Sequence, residues 1–581
     1  MIERRQAHPQ HLLDHVPALL ARIYAARQVR DPAELQLLPA ELLPPSALKG
    51  MAEALDLLCQ MLERQGRILV ISDFDADGAT SCVLLLRALR MMGFEHVDYI
   101  VPDRFIYGYG LSPDIARLAV ERQPDLVVTV DNGISSHEGV SLVRAAGAKV
   151  LITDHHLAPA KLPEADAIVN PNQPGCTFPS KALAGVGVVF YLMLGLRARL
   201  RDASWFTNRG IPEPRLADLL DLVALGTVAD LVPLDRNNRI LVHEGVRRIR
   251  AGRACPGVLA LLKVAKRSPA NLVAADLGFA VGPRLNAAGR LEDMSLGIAC
   301  LLTDDPQAAE RLAAQLNAIN QERKVIETGM REQAMAAVAD MQERLSQQGG
   351  NLPPVLVLYE PSWHQGVVGI VASRIKDSFH RPVVVFADAG ADNNEELKGS
   401  ARSVSGLHIR DLLDEIAGRY PGLINRFGGH AMAAGLSLDR QALPAFINAL
   451  EEAAGRHLDE TMLQRRLLSD GALADSELIL ETAEMLRHAG PWGQAFPEPQ
   501  FDGEFRVVGQ RLLAERHLKL VLMPMTGERV LDAIAFNVDT HCWPNDAIQC
   551  VRVVYRLDVN EFRGQRQLQL MVEHLEPVPG V

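Results

Sequence analysis

"RILVISDFDADGATS", from Arg67 to Ser81, runs four consecutive apolar residues into three aspartates at alternate positions. The continuous Ile68-Leu69-Val70-Ile71 run has the pattern of a parallel strand covered on both faces. The apolar-periodic "ATSCVLLLRALRMM" after Gly78 reads as the helix packed on it. Asp73, Asp75 and Asp77 therefore fall on a strand-to-helix turn, where ligands bind in open α/β sheets. Carboxylates crowded there repel one another unless a cation neutralises them, so the stretch calls for metal.

The same geometry recurs downstream. "DLVVTVDNGIS" puts Asp131 at a strand end, and "KVLITDHHLAP" puts Asp154, His155 and His156 at the next. Asp230, in "LVALGTVADLVPL", again follows an apolar run and reads as a fourth strand end. Helix capping or a turn accounts for any one such aspartate alone. It does not account for three in succession with paired histidines. Hard carboxylate oxygens with imidazole suit Mn²⁺ or Mg²⁺, whereas a structural zinc site would want thiolates. Four or more acids plus histidine can hold two ions about 3.5 to 4 Å apart, the clamp used in phosphoryl transfer. Phosphoester or phosphoanhydride hydrolysis is the reaction class.

The chain of 581 residues is too long for one core. Strand-like runs alternate with helical ones through "ILVIS", "VDYIVP", "DLVVTV", "KVLIT" and "AIVNP", which predicts an α/β fold with a parallel sheet and helices on both faces. Residues 1–48 read as an N-terminal helical segment, 49–303 as the catalytic domain and 304–350 as one long helix joining two α/β lobes. Residues 351–460 form the second lobe. Residues 461–581 hold five short alternating strands that fit a C-terminal OB-type barrel, with a sandwich not separated from it. The seven cysteines are scattered and read as reduced core residues. No apolar run reaches the roughly 18 to 20 residues of a membrane span, and the cytoplasm is the expected compartment. A net charge of −11 argues against a generic nucleic-acid binder, so a polyanion would be held by local basic clusters and metal.

"DFDADGATS", "VTVDNGISS", "TDHH" and "GTVADLVPL", in this order, resemble the four motifs of the DHH phosphoesterase family. The later "GPRLNAAGRLEDMS", "WHQGVVGIVASRI", "KGSARS" and "RFGGHAMAAGL" resemble its RecJ subgroup, which carries a DHH-associated second lobe. The resemblance runs from about residue 20 to the end. It implies a manganese- or magnesium-dependent, single-strand-specific 5′ to 3′ DNA exonuclease of repair and recombination. By this pattern Asp75, Asp77, Asp131, Asp154, His155 and Asp230 are the metal ligands, and His156 lies beside the scissile phosphate. Asp73 is left between a ligand and a residue that orients the loop.

An enzyme that starts from a free 5′ end needs a pocket for the terminal phosphate, and arginine's planar fork suits that dianion. The resemblance offers Arg104, Arg284 or Arg290, and Ser400 with Arg402. His430, after a glycine pair, either meets a phosphate or caps its turn. Asn317, Asn320 and Arg323 share one face of the long helix and read as lobe packing. In the terminal domain nine Lys/Arg stand against eleven Asp/Glu over residues 501–581, so it is not globally basic. The cluster Arg552, Arg556, Arg563 and Arg566, interleaved with Tyr555 and Phe562, is its candidate single-strand-binding face, or else an ordinary barrel exterior. The partners implied are single-stranded DNA, single-strand-binding protein and a RecQ-type helicase, with a monomer as the simplest assembly. A DHH-type hydrolase of short oligonucleotides or cyclic dinucleotides, and a non-catalytic DNA-binding scaffold, are the rival readings.

Overall fold

The computed structural model describes the chain except residues 8–14, 104–105, 348–351, 391–394, 563 and 579–581. The chain divides into two units, Ile2–Asn317 with Leu467–Val581, and Ala318–Arg466 with Met1.

In the first unit five parallel strands lie in the order Val97–Ile100, Ile68–Ser72, Leu126–Val130, Lys149–Thr153 and Ala167–Val169. Alternate residues of the second of these enter different cores. Ile68 and Val70 join the helices Ala76–Met91, Gly185–Asp202 and Leu220–Ala229, while Leu69 and Ile71 pack with Ile115, Ala116, Val140 and Val143. Burial on both sides is why this strand has no polar alternation.

The run before Asp230 departs from expectation. Leu220–Ala229 is a helix with Asp230 as its C-cap, so this acid does not end a strand. Its residues from Leu220 to Thr227 are all buried, which leaves no polar face, and a short apolar run of this kind carries no periodicity to tell helix from strand.

The N-terminal segment also differs. Beside the helix Ala18–Ala26 it contributes a strand, Ile2–Arg4, paired in parallel with Leu467–Ser469. Buried Arg27 Nη1 donates to Asp470 Oδ1 at 2.8 Å and fastens the helix to the approach of the terminal domain. That domain is a closed barrel, with strands in the order Phe501–Leu513, His517–Pro524, Leu531–Ala535, Gln565–Pro577 and Cys550–Phe562. Closure settles barrel over sandwich.

The helix Pro306–Gln347, 42 residues long, begins in the first unit and continues into the second. The second unit's sheet runs Arg426–Gly429, Ala433–Asp439, Glu396–Arg402, Val383–Asp388 and Leu356–Tyr359, and only the last two are parallel. Asn320, Arg323 and Glu327 are buried there. Glu327 pairs with Arg323 and accepts from Arg374 Nε at 3.1 Å, which is packing of the lobe itself. Among the described residues no helix is long and apolar enough to cross a membrane.

Candidate metal centre

The turn after Ile68–Ser72 is built from its own aspartates. Asp75 caps the helix Ala76–Met91, its Oδ1 accepting from the N–H groups of Asp77 at 2.9 Å and Gly78 at 3.0 Å. Gly78 is required by space, because a Cβ there would stand 2.5 Å from the Asp73 carbonyl oxygen. Asp77 sits in the helix's first turn and is wholly buried. Its carboxylate accepts from the N–H of Gly185 at 2.6 Å and of Val186 at 2.9 Å, at the start of the helix Gly185–Asp202. Asp131 follows its strand with φ +62, a left-handed conformation that turns the carboxylate back over the sheet edge. Gly185 lets this happen, since its Cβ would lie 2.6 Å from Asp131 Cβ.

His155 Nε2 is the hub. It lies 3.1 Å from Asp131 Oδ1, 3.5 Å from Asp230 Oδ2 and 4.0 Å from Asp77 Oδ2. Three sets of donor atoms each gather within 4.8 Å: Asp77, His155 and Asp230; Asp131, His155 and His156; and Asp73, Asp75 and Asp131. Asp73, open between two roles in the sequence, thus shares a cluster with Asp75 and Asp131.

Asp154 stands outside all three. Its Oδ1 accepts from the backbone N–H of His155 and His156, at 2.7 and 3.1 Å, and lies 2.7 Å from His156 Nδ1. Its Oδ2 accepts from Ile134 N at 2.9 Å. An oxygen already carrying several hydrogen bonds has little left for an ion, so in this arrangement Asp154 holds His156 instead.

The electrostatics follow from burial and crowding. Burial, then Asp75, pushes the Asp77 carboxyl up to about 7. Burial, then Asp77, pushes Asp131 and Asp230 well above the usual carboxylate range. Burial would raise Asp154 as well, but the His156 hydrogen bond and charge hold it below its ordinary value. The partner effect is that His156, despite burial, rises to about 9. Among the described residues buried Asp131 Oδ1 accepts no hydrogen bond. Oxygen-rich donors that raise one another's pKa fit a hard divalent cation, which would supply the missing positive charge.

Several residues that shape the centre carry no chemical signal in sequence. Tyr109 Oη donates to the Asp131 carbonyl at 3.1 Å and its ring stands edge-on to both Phe74 and His156. Asn172 and Asn170 donate to the carbonyls of His155 and His156, at 2.6 and 3.0 Å. Asn286 Oδ1 accepts from Ala76 N at 2.7 Å and ties the helix Gly282–Leu291 to the aspartate turn. The available hint is position: Tyr109 lies in a glycine-rich loop, and Asn170 and Asn172 follow a strand end, whereas Asn286 sits inside a helix.

Arg284 is buried and donates to the Ala280 carbonyl and to Asn317 Oδ1 at 3.0 Å. Burial lowers its pKa, and among the described residues no carboxylate pairs with it. Arg290 is half-buried in the last turn of the same helix. In the second unit Arg402 donates to the Ser400 and Ser373 hydroxyls, at 2.8 and 3.1 Å. Burial lowers its pKa too, again with no carboxylate partner among the described residues. His430 is exposed, its N–H donating to the Ala433 carbonyl in the hairpin turn. Arg104, Arg563 and the side chain of Phe562 lie outside the described residues.

The barrel face corrects one expectation. Tyr555 is 1% exposed, because strand alternation and a bulge at Val554 turn it into the barrel against Phe501 and Phe505. Arg552 pairs with Glu504 at 2.7 Å and Glu576 at 3.4 Å, Arg556 with Glu498 and Glu573, and Arg566 with Glu484 at 2.8 Å. These arginines are neutralised by neighbours on adjoining strands and on the approach to the barrel.

Comparison with known proteins bears on this centre. The chain is 54% identical over 577 residues, 99% of each chain, to the single-stranded-DNA-specific exonuclease RecJ of Dickeya dadantii, and 53% identical over 563 residues to that of Escherichia coli, covering 97% of this chain and 96% of the relative. The chain belongs to the RecJ family. Within it, residues 67–227 match the DHH family N-terminal domain, 352–456 the DHHA1 domain and 469–574 the RecJ OB domain. A crystal structure of RecJ from Thermus thermophilus in complex with Mn²⁺ superposes with a TM-score of 0.79 at 29% identity, covering all of this chain and 80% of that one. The Mg²⁺ complex of the same protein gives 0.74 at 28% identity, covering all of this chain and 79% of that one. The donor set suits both ions.

Proposed function

We propose that this chain is a metal-dependent exonuclease that degrades single-stranded DNA from its 5′ end and releases 5′-mononucleotides. The observation that carries the reading is the convergence of Asp73, Asp75, Asp77, Asp131, His155, His156 and Asp230 into overlapping clusters joined through Asp131 and His155. When bound there, Mn²⁺ or Mg²⁺ ions activate water and offset charge on the phosphoryl group. The protein's own part is positional. The amides of Gly185 and Val186 fix Asp77, and Tyr109 holds the Asp131 backbone. Asp154 keeps His156 protonated through Nδ1, so that Nε2–H can donate to an oxygen of the scissile phosphate.

Arg284 in the first unit and Arg402, with Ser400 and His430, in the second are each candidates to recognise the 5′-phosphate and so set polarity. A buried guanidinium without a carboxylate is costly unless an anion visits it. The single strand is the partner the reading requires. Single-strand-binding protein, a RecQ-type helicase and a cytoplasmic location extend it by family likeness.

Digestion of end-labelled oligonucleotides with Mn²⁺, Mg²⁺ or chelator tests this on wild type and Asp77→Ala. Mononucleotides from the 5′ end of single strands only, lost in the variant and in chelator, support the proposal. Binding without cleavage under every metal would leave a scaffold, and cleavage restricted to substrates of a few nucleotides would leave a short-oligonucleotide hydrolase.

A further inference from the structure

Phe279 is 80% exposed, although Leu277, Ala280 and Val281 around it are buried. It sits in a turn of wide, π-type helix, Leu277–Val281, a distortion that recurs at functional sites. The turn is held tightly. A Cβ on Gly278 would lie 3.2 Å from Val228 Cγ1, and one on Gly282 would lie 3.2 Å from Ala229 Cβ, so both glycines seat against the two residues preceding Asp230. Leu231, just beyond Asp230, is 63% exposed and adopts φ +59, a conformation that strains a residue with a Cβ. A single exposed apolar side chain needs no explanation. Two of them, on segments in contact and flanking a carboxylate of the metal cluster, do.

We infer that Phe279 is a stacking platform for a nucleobase of the strand whose phosphate is being cut. The inference rests on the exonuclease reading above. The occupant follows from what surrounds the platform. The turn bearing Phe279 packs on the residues that lead into Asp230, part of the carboxylate cluster that would take the scissile phosphate. The carbonyl of Ala280, the residue after Phe279, accepts from Arg284, a candidate for a second phosphate. A polymer spanning two such phosphate sites can offer an apolar plane only as its base. Stacking of this kind is indifferent to sequence, as an exonuclease needs, since every base has a π-face. It also disfavours duplex, whose bases have both faces covered and their edges paired.

The test uses the full chain with Mn²⁺ and 5′-phosphorylated oligodeoxynucleotides carrying an abasic residue at one of the first three positions. Wild type should cleave the base-bearing strand about 10-fold more efficiently than the abasic one at a single position, mainly through KM. Phe279→Ala should lose that preference, so that the mutation and the missing base together cost no more than either alone, and Phe279→Trp should keep it. In chelator, 2-aminopurine at the same position should be quenched by wild type and by the Trp variant but not by Phe279→Ala. A Phe279→Ala enzyme that keeps both the base preference and the quench overturns the inference. So does one that loses activity equally on both substrates, the mark of a structural role. If wild type cleaves no single strand with any metal, the exonuclease reading fails instead, and the quench still decides whether Phe279 stacks a base.

Discussion

Beside the sheet edge, Asp73, Asp75, Asp77, Asp131 and Asp230 fall into overlapping clusters, two of which include His155. On the barrel, Arg552, Arg556 and Arg566 are equally crowded, yet each faces at least one glutamate. The two regions are both conspicuous as charge clusters in sequence, and only one leaves its charge uncompensated. Unbalanced buried charge marks the place where a ligand completes the structure; a balanced exposed cluster marks a solvated surface.

The contrast has graded consequences. The largest concerns Asp131→Asn, which keeps the left-handed turn that asparagine tolerates but removes a ligand charge. Cleavage should fall by roughly 10³-fold, the scale of losing a main electrostatic contribution. In chelator at alkaline pH, where Asp131 ionises against its neighbours, the same variant should melt at a higher temperature than wild type. A variant that melts lower in chelator would contradict the repulsion.

The pH dependence of the metal-free chain comes next. Asp77, Asp131 and Asp230 have folded pKa values above those of the unfolded chain, about 7 for Asp77. The folded state therefore keeps protons that the unfolded state has released. Their contribution to stability is complete below about pH 4 and is lost as pH rises through about 7. Denaturant unfolding in chelator should show stability falling from pH 5 to 8. Mn²⁺ should oppose that fall, by about 2.7 kcal/mol at one hundred times its Kd.

Asp154→Asn should cost roughly 10 to 100-fold in activity, the range for a residue that orients another. Because Asp154 keeps His156 up near 9, the alkaline limb of the pH–rate profile should move to lower pH in this variant. The smallest effects distinguish the arginines. Arg402→Ala should lower the slope of log affinity against log salt by about 1 and weaken the preference for a 5′-phosphate, whereas Arg552→Ala should leave the slope unchanged.

Much of this is legible in the chain's own residues. The strand Ile68–Ser72 shows itself by a run with no polar alternation, and the aspartates by their place just beyond it. The long helix shows itself as a stretch with no interior proline, bounded in the sequence by Asp-Asp-Pro at 304–306 and Gly-Gly at 349–350. The run before Asp230 misreads as a strand because a helix buried all round has no polar stripe. Tyr555 misreads as exposed because alternation is broken by a bulge that no residue type announces. That Asp154 supports His156 while Asp73 joins a cluster depends on the backbone amides Asp154 meets, those of Ile134, His155 and His156, which only the folded turn brings together. The pairing of the barrel arginines depends on glutamates from adjoining strands and distant segments, which spacing along the chain does not reveal.

Calorimetric titration of the metal-free protein with Mn²⁺ at pH 7, repeated in buffers of different ionisation enthalpy, asks whether the carboxylate cluster holds its protons until a cation arrives. Crowded, protonated carboxyls must give up protons to take a cation, so binding should release at least about one proton, and less in Asp131→Asn. Binding with no proton release, or no binding at all, would contradict the account.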